Sequence, residues 1–223
     1  MALRIGFDID GVLADFAGAF RAVEADLFGP ATTLPVEQPE EEEERQEKGI
    51  LQSRARRDAV WKEIQNRPDF WLSLEPMEAG AVARLQQLSL AHRWEVFFIT
   101  QRPASAGETV QRQTQRWLVA QGFELPSVLV LAGPRGAAIR SLRIDYHVDD
   151  SAQNCLDVIA DATAKTILVA ADPQAAGVGN VRKLGIALVA GPNQALDVLV
   201  QATLASSNPS LLQRLSSIVG WRL

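Results

Sequence analysis

Two aspartates, Asp8 and Asp10, stand one residue apart in "GFDIDGVLADF", where an apolar run gives way to glycine. On an extended strand, side chains two positions apart share a face. Gly11 lets the chain turn sharply just after them, so the pair can address opposite sides of a reacting phosphorus. One carboxylate can then attack as a nucleophile, while the other protonates the leaving oxygen and later activates water. A second acidic pair, Asp149 and Asp150, ends the apolar stretch of "DYHVDDS". Thr100, Gln101 and Arg102 end another, "VFFITQR", and Arg135 opens "RGAAIRSL". Four carboxylates packed closely in a partly dry cleft repel one another. A divalent cation relieves that repulsion, and Mg2+ suits oxygen ligands with room for water and a phosphate oxygen. Asp-Gly by itself is turn chemistry, but a second acidic pair at another strand end outweighs that reading.

Such residues need a scaffold that gathers strand ends. Short apolar runs at 4–9, 96–100, 128–131, 146–148, 166–170 and 186–189 read as strands. "VFFIT" is apolar at consecutive positions, as strands covered on both faces are. Between the runs lie helical patterns with readable ends. Ser105 and Glu108 form a capping-box pattern, and Gly122 closes the helix that carries Val110, Thr114, Trp117 and Leu118 on one face. Asn193 is expected to cap the next-to-last helix and Asn208, ahead of Pro209, the last. This alternation predicts an α/β fold, a Rossmann-like parallel sheet flanked by helices. In such sheets ligands bind beyond the carboxyl ends of the strands, where the residues named above would converge, which makes Thr100, Gln101, Arg102 and Arg135 candidate substrate-binding residues.

Residues 14–75 break the alternation. Phe16, Phe20, Val23 and Leu27 recur at helical spacing until Gly29-Pro30; then come the polar "EQPEEEEERQEKG" and a helix around Val60, Trp61 and Ile64. An excursion of roughly 60 residues is too long for a plain connection. It reads as a small helical cap inserted after the first strand, over a core made of 1–13 and 76–223. The acidic run at 40–44 reads as a solvated charge block. The final stripe, Leu211, Leu212, Leu215, Ile218 and Val219, reads as cover for the chain's own core, with a homodimer contact as the alternative.

Of the 223 residues, 47% are hydrophobic and 22% charged, and the net charge is −5. That balance argues against a nucleic-acid polymer as partner, which takes many Lys and Arg contacts. No run approaches the ~20 apolar residues of a membrane span. The single cysteine, Cys155, excludes an internal disulfide and suits a reducing compartment, so the expected location is the cytoplasm. Read singly, Arg102 is a solvated side chain or the partner of a surface acid, and His147 packs inside its strand. Phe16 and Trp61 read as cap core, and Cys155 as a small buried residue.

"DIDGVLADF", "FFITQRP" and "HVDDS" resemble the first, second and fourth motifs of the haloacid dehalogenase superfamily of phosphohydrolases, in the right order and at strand ends. "GVLADF", "FWLSLEPMEAGAVARL" and the inserted cap resemble the nucleotidase-like branch. The resemblance implies Asp8 as nucleophile through an aspartyl-phosphate and Asp10 as general acid/base with its main-chain carbonyl on the metal. It implies Thr100 on the phosphoryl group, Asp150 on Mg2+ with Asp149 as ligand or neighbour, and Phe16 lining the substrate pocket. Arg135 stands where the third motif supplies lysine; it keeps the charge and can grip phosphate with two N–H groups. Glutamates and "GILQS" occupy 40–53, where cap aromatics sandwich a base in nucleotidases, which argues against a nucleotide. The expected activity is Mg2+-dependent hydrolysis of a small phosphorylated metabolite. The alternative is a catalytically weak relative that serves as a ligand-binding or interaction module.

Overall fold

The computed structural model describes residues 2–29, 42–171 and 181–206. Six parallel strands form one sheet in the order β3-β2-β1-β4-β5-β6. They are β1 (Arg4–Phe7), β2 (Glu95–Thr100), β3 (Ser127–Val130), β4 (Tyr146–Asp149), β5 (Lys165–Val169) and β6 (Ala187–Val189). Helices α1 (Phe16–Phe28), α2 (Glu42–Asn66), α3 (Ala81–His92), α4 (Val110–Ala120), α5 (Arg135–Ser141), α6 (Ala152–Asp161) and α7 (Pro192–Ser206) lie between and beyond them. The alternating α/β architecture read from the apolar runs is the one observed.

Each central strand is apolar on both sides because each side is covered. Phe7, Phe98, Val148 and Ile167 join Leu85, Trp117 and Leu199 in one buried cluster, and Ile99 meets Ile139 and Val158 in another. Burying such side chains supplies the main drive for the layered packing, about 1.5–3 kcal/mol for each large one. The chain leaves β1 for β2 and β3 on one side, then crosses to β4, β5 and β6 on the other. The reversal leaves a crevice beyond the carboxyl ends of β1, β2 and β4.

Between β1 and β2, α1 begins at an Asp15 side chain that accepts a hydrogen bond from the Gly18 amide at 2.8 Å. It ends at Gly29, whose φ of 79° suits glycine. Helix α2 packs against α1 and buries Val60 and Ile64. It starts at Glu42, earlier than the polar stretch suggested. A short turn at Phe70–Leu72 then leads to α3.

Two expected caps differ. Helix α4 is capped by Thr109, whose hydroxyl accepts from the Arg112 amide, and the Ser105–Glu108 pattern lies in the preceding loop. There the Ser105 hydroxyl meets Gln113 and the Glu108 carboxylate pairs with Arg112 and Arg116. Asn193 falls within the first turn of α7, where Glu78 and Arg84 hold its side chain. Asn208, the 211–219 stripe and residues 40–41 of the acidic run lie outside the described residues.

Candidate active site

Strand β1 ends at Phe7, and the chain goes straight on to Asp8, whose amide donates to the Val148 carbonyl at 2.8 Å. This bond keeps Asp8 in line with β4, so its carboxylate lies beside those of Asp149 and Asp150. Oxygens of the three lie within 4.8 Å of one another. The turn that follows depends on Gly11, with a φ of 75°, because a Cβ there would collide with the Asp150 carboxylate. On the other flank β2 delivers Thr100, buried, with a hydroxyl that has no hydrogen-bond partner.

Arg135, the first residue of α5, is 4% exposed and reaches into this cluster. Its Nη2 donates to Asp8 Oδ2 at 2.9 Å, and its Nη1 to the Ile99 carbonyl at 2.9 Å. Nη1 also lies 3.1 Å from Asp149 Oδ2. Asp149 is held on every side: by His147 Nε2 at 2.9 Å, the Ser151 amide at 2.9 Å and Asn154 Nδ2 at 3.0 Å. His147 is thus packed inside its strand, as its neighbours suggested, but with one ring nitrogen on Asp149.

These surroundings divide the acids. Burial, with the charge of Asp149 behind it, holds the Asp8 carboxyl well above the usual carboxylate range, and Arg135 offsets only part of this. Asp149 is buried too, yet its hydrogen bond and charge interaction with His147, with Arg135 and the Ser151 amide, outweigh that and hold it low. Asp150 is an exposed residue, but its carboxyl is turned inward, against Gly11 and toward Asp149. Loss of water there, and then the Asp149 charge, push it up to about 6.

Asp10 stands beside this triad, close enough for its charge to add to the rise of Asp8 and Asp150, and turns its carboxylate to Arg102. Both its oxygens accept from Arg102, Oδ1 from Nη2 at 2.7 Å and Oδ2 from Nε at 2.9 Å. Arg102 is buried, not solvated or paired with a surface acid as its sequence context suggested. Its Nη1 donates to the Thr114 hydroxyl at 2.9 Å, and its guanidinium carbon lies 4.7 Å from the centre of the Trp71 ring. Gln101 is exposed and its amide donates to the Gly133 carbonyl, which ties the end of β2 to the loop before α5. Phe16 stacks on Trp61 at 5.3 Å and lies 5.7 Å from Trp71, with Phe20 edge-on at 5.8 Å. The aromatic cluster therefore runs from α1 and α2 to Arg102.

Sequence reasoning missed Trp71, Thr114 and Asn154 as parts of this network. The available signal was Thr114, a polar residue on an otherwise apolar helix face. Cys155 is buried, and its thiol is pushed far up by that burial, as expected of a small packed residue.

Acids carried on two neighbouring strands to the switch point of a parallel sheet, with helices α1 and α2 inserted after the first strand, match the layout of haloacid dehalogenase-class phosphohydrolases, and the family match places the chain in that class. Within that class the chain belongs, over residues 2–174, to the family described as 5' nucleotidase, deoxy (pyrimidine), cytosolic type C. It is a phosphatase-type enzyme, nucleotidase-like in its relationships. Among solved structures it is similar to a haloacid dehalogenase-like hydrolase, SP0104 of Streptococcus pneumoniae, at 11% identity and a TM-score of 0.54, covering 89% of this chain and 98% of that one. A putative beta-phosphoglucomutase from Thermotoga maritima matches at 17% identity and a TM-score of 0.51, over 88% and 98%. At these identities the likeness is one of fold. No curated protein matches. Among the described residues, no helix is long and apolar enough to cross a membrane.

Proposed function

We propose that the protein is an Mg2+-dependent phosphomonoesterase that works through an aspartyl-phosphate on Asp8. One observation carries this reading: carboxylate oxygens of Asp8, Asp149 and Asp150 converge within 4.8 Å beyond the ends of β1 and β4. The donor set fits a hard divalent cation. It is all oxygen, and the four site carboxylates face two guanidiniums, which leaves two formal negative charges to balance. Burial first, and then the Asp149 charge, raise the carboxyls of Asp8 and Asp150, a cost that a cation held between them would lower. Asp8 and Asp150 would hold the ion, with Asp149 beside them and the Asp10 carbonyl as a further ligand. Bound there, Mg2+ supplies positive charge against the phosphoryl oxygens.

In the first step an Asp8 oxygen bonds to phosphorus as the ester P–O bond breaks. The departing oxygen takes a proton from Asp10. In the second step Asp10 takes a proton from water, the water oxygen bonds to phosphorus, and the bond to Asp8 breaks. The buried Thr100 hydroxyl, without a protein partner, is free to donate to the phosphoryl group. Helices α1 and α2, within the cap read over 14–75, would screen the intermediate from bulk water. The substrate is a small phosphorylated metabolite. The family's name points to deoxypyrimidine nucleotides, and the partly buried Phe16, Phe20 and Trp61 offer apolar surface for such a flat body, with Trp71 buried behind Phe16. A single buried cysteine and a negative net charge support a cytoplasmic enzyme without a nucleic-acid polymer or membrane partner.

A second reading, a weakly catalytic binding module, draws on Arg135, which occupies an oxygen of the proposed nucleophile. Phosphate release from a panel of monoesters, with Mg2+ or with EDTA, separates the two. Mg2+-dependent release that vanishes in Asp8→Asn supports the enzyme. Intact Mg2+ binding with no release from any ester would falsify it.

A further inference from the structure

Arg102 was expected among substrate-binding residues, but its side chain is committed within the protein. Two of its nitrogens meet both oxygens of Asp10, the third meets Thr114, and the Trp71 ring lies against the guanidinium. Trp71 is itself fixed, with its ring N–H on the Pro103 carbonyl at 3.1 Å and its amide on the Gln113 side chain at 3.0 Å. Gln113 is fully buried and donates to the Ser105 hydroxyl at 3.0 Å. To reach a substrate phosphate, Arg102 would have to give up two charge-assisted bonds and a ring contact at once. We propose that Arg102 is a positioning residue: it fixes the Asp10 carboxylate for proton transfer, and the phosphate is gripped by other groups. The role rests on the reading of Asp10 as acid and base given above. Lysine could not take it over, because an ammonium cannot span both oxygens and lie flat on the ring.

The consequence is a dependence on the leaving group. An alkyl alcohol leaves poorly without a proton from Asp10, whereas p-nitrophenolate leaves readily. With Mg2+ present, kcat/KM is measured on glycerol 2-phosphate and on p-nitrophenyl phosphate for the parent protein, Arg102→Gln, Arg102→Lys, Thr114→Val and Asp10→Asn. Both Arg102 variants are expected to lose about 100-fold on the alkyl ester and less than about 10-fold on the aryl ester, with KM little changed. Thr114→Val loosens only one nitrogen of Arg102; it shows the same pattern at smaller size and serves if the Arg102 variants do not fold. Equal losses on both esters with a raised KM make Arg102 a phosphate ligand and overturn the proposal, as does no loss. If Asp10→Asn lacks the leaving-group pattern, the acid/base reading of Asp10 falls and this role falls with it. If Asp10→Asn shows the pattern and the Arg102 and Thr114 variants do not, only this role falls.

Discussion

Thr100 shows at the scale of a single residue how a site is kept ready at some cost to stability. Its hydroxyl is buried with no partner, which costs roughly 1–3 kcal/mol relative to a satisfied or absent group. Thr100→Val should therefore leave the fold intact or raise stability by about 1 kcal/mol in a denaturant titration. Phosphate release should fall in the same protein. Asp8 and Asp150 carry a related cost, which is visible in the pH dependence. Both carboxyls titrate above their ordinary range, Asp150 at about 6. Between that range and about pH 6 the folded protein thus binds more protons than the unfolded chain, so stability rises as the pH falls. Asp149, held low, loses its contribution only at lower pH, below this window. The EDTA-treated protein should melt higher at about pH 5.5 than at about pH 7.5, and saturating Mg2+ should reduce or reverse the difference. A metal-free protein that melts lower at pH 5.5 would show that these charges are already compensated.

At the scale of elements, the placement of Arg135 depends on how closely α5 approaches α6. A Cβ on Gly136 would lie 2.5 Å from the Asp157 carbonyl oxygen and 2.5 Å from the Asp161 Cβ. Gly136→Ala must push the two helices apart, at about 1–3 kcal/mol, and carry the neighbouring Arg135 away from Asp8. Both the unfolding midpoint and turnover should drop. Gly133→Ala, with nothing within 4 Å of the added carbon, should change stability by less than about 0.5 kcal/mol. The strands themselves were legible in the sequence to within two residues at either end, because consecutive apolar positions report cover on both faces directly. The acids, Thr100 and Arg135 were legible for the same reason: each follows the end of an apolar run or opens the next helix. What was not legible is set from far away in the chain. The Ser105–Glu108 pattern lost to Thr109 because the Glu108 amide donates to Asp69 and the Ala106 amide to Gln65, which holds the loop off the helix axis. Asn193 is drawn to Glu78 and Arg84, more than a hundred positions away. Arg102 looked like a surface residue because its partners, Asp10, Thr114 and Trp71, come from three separate segments.

Across the whole molecule, strand order concentrates charge that the folded state must then tolerate. Because β1 lies between β2 and β4, acids about 140 positions apart in the chain share one crevice, where two guanidiniums pair with them among the described residues. The two guanidiniums are not equivalent in what they leave behind. Asp10 is the partner of buried Arg102, so Asp10→Asn strips that cation of its counter-charge and should destabilise the protein. Asp150 has no such partner among the described residues, and its carboxyl is raised by lost hydration and by Asp149. Asp150→Asn removes a repulsion while nearly keeping the shape, so the metal-free protein should melt higher. A gain of 1 kcal/mol would appear as about 2–4 °C for a chain of this size. The same substitution removes a proposed ligand, so the rise in melting temperature that Mg2+ gives the parent protein should disappear. The two mutants therefore move metal-free stability in opposite directions, although each deletes one negative charge from the same crevice. An Asp150→Asn protein that melts lower without metal and still gains from Mg2+ would show that the ion sits elsewhere and that the charge is balanced by the protein alone.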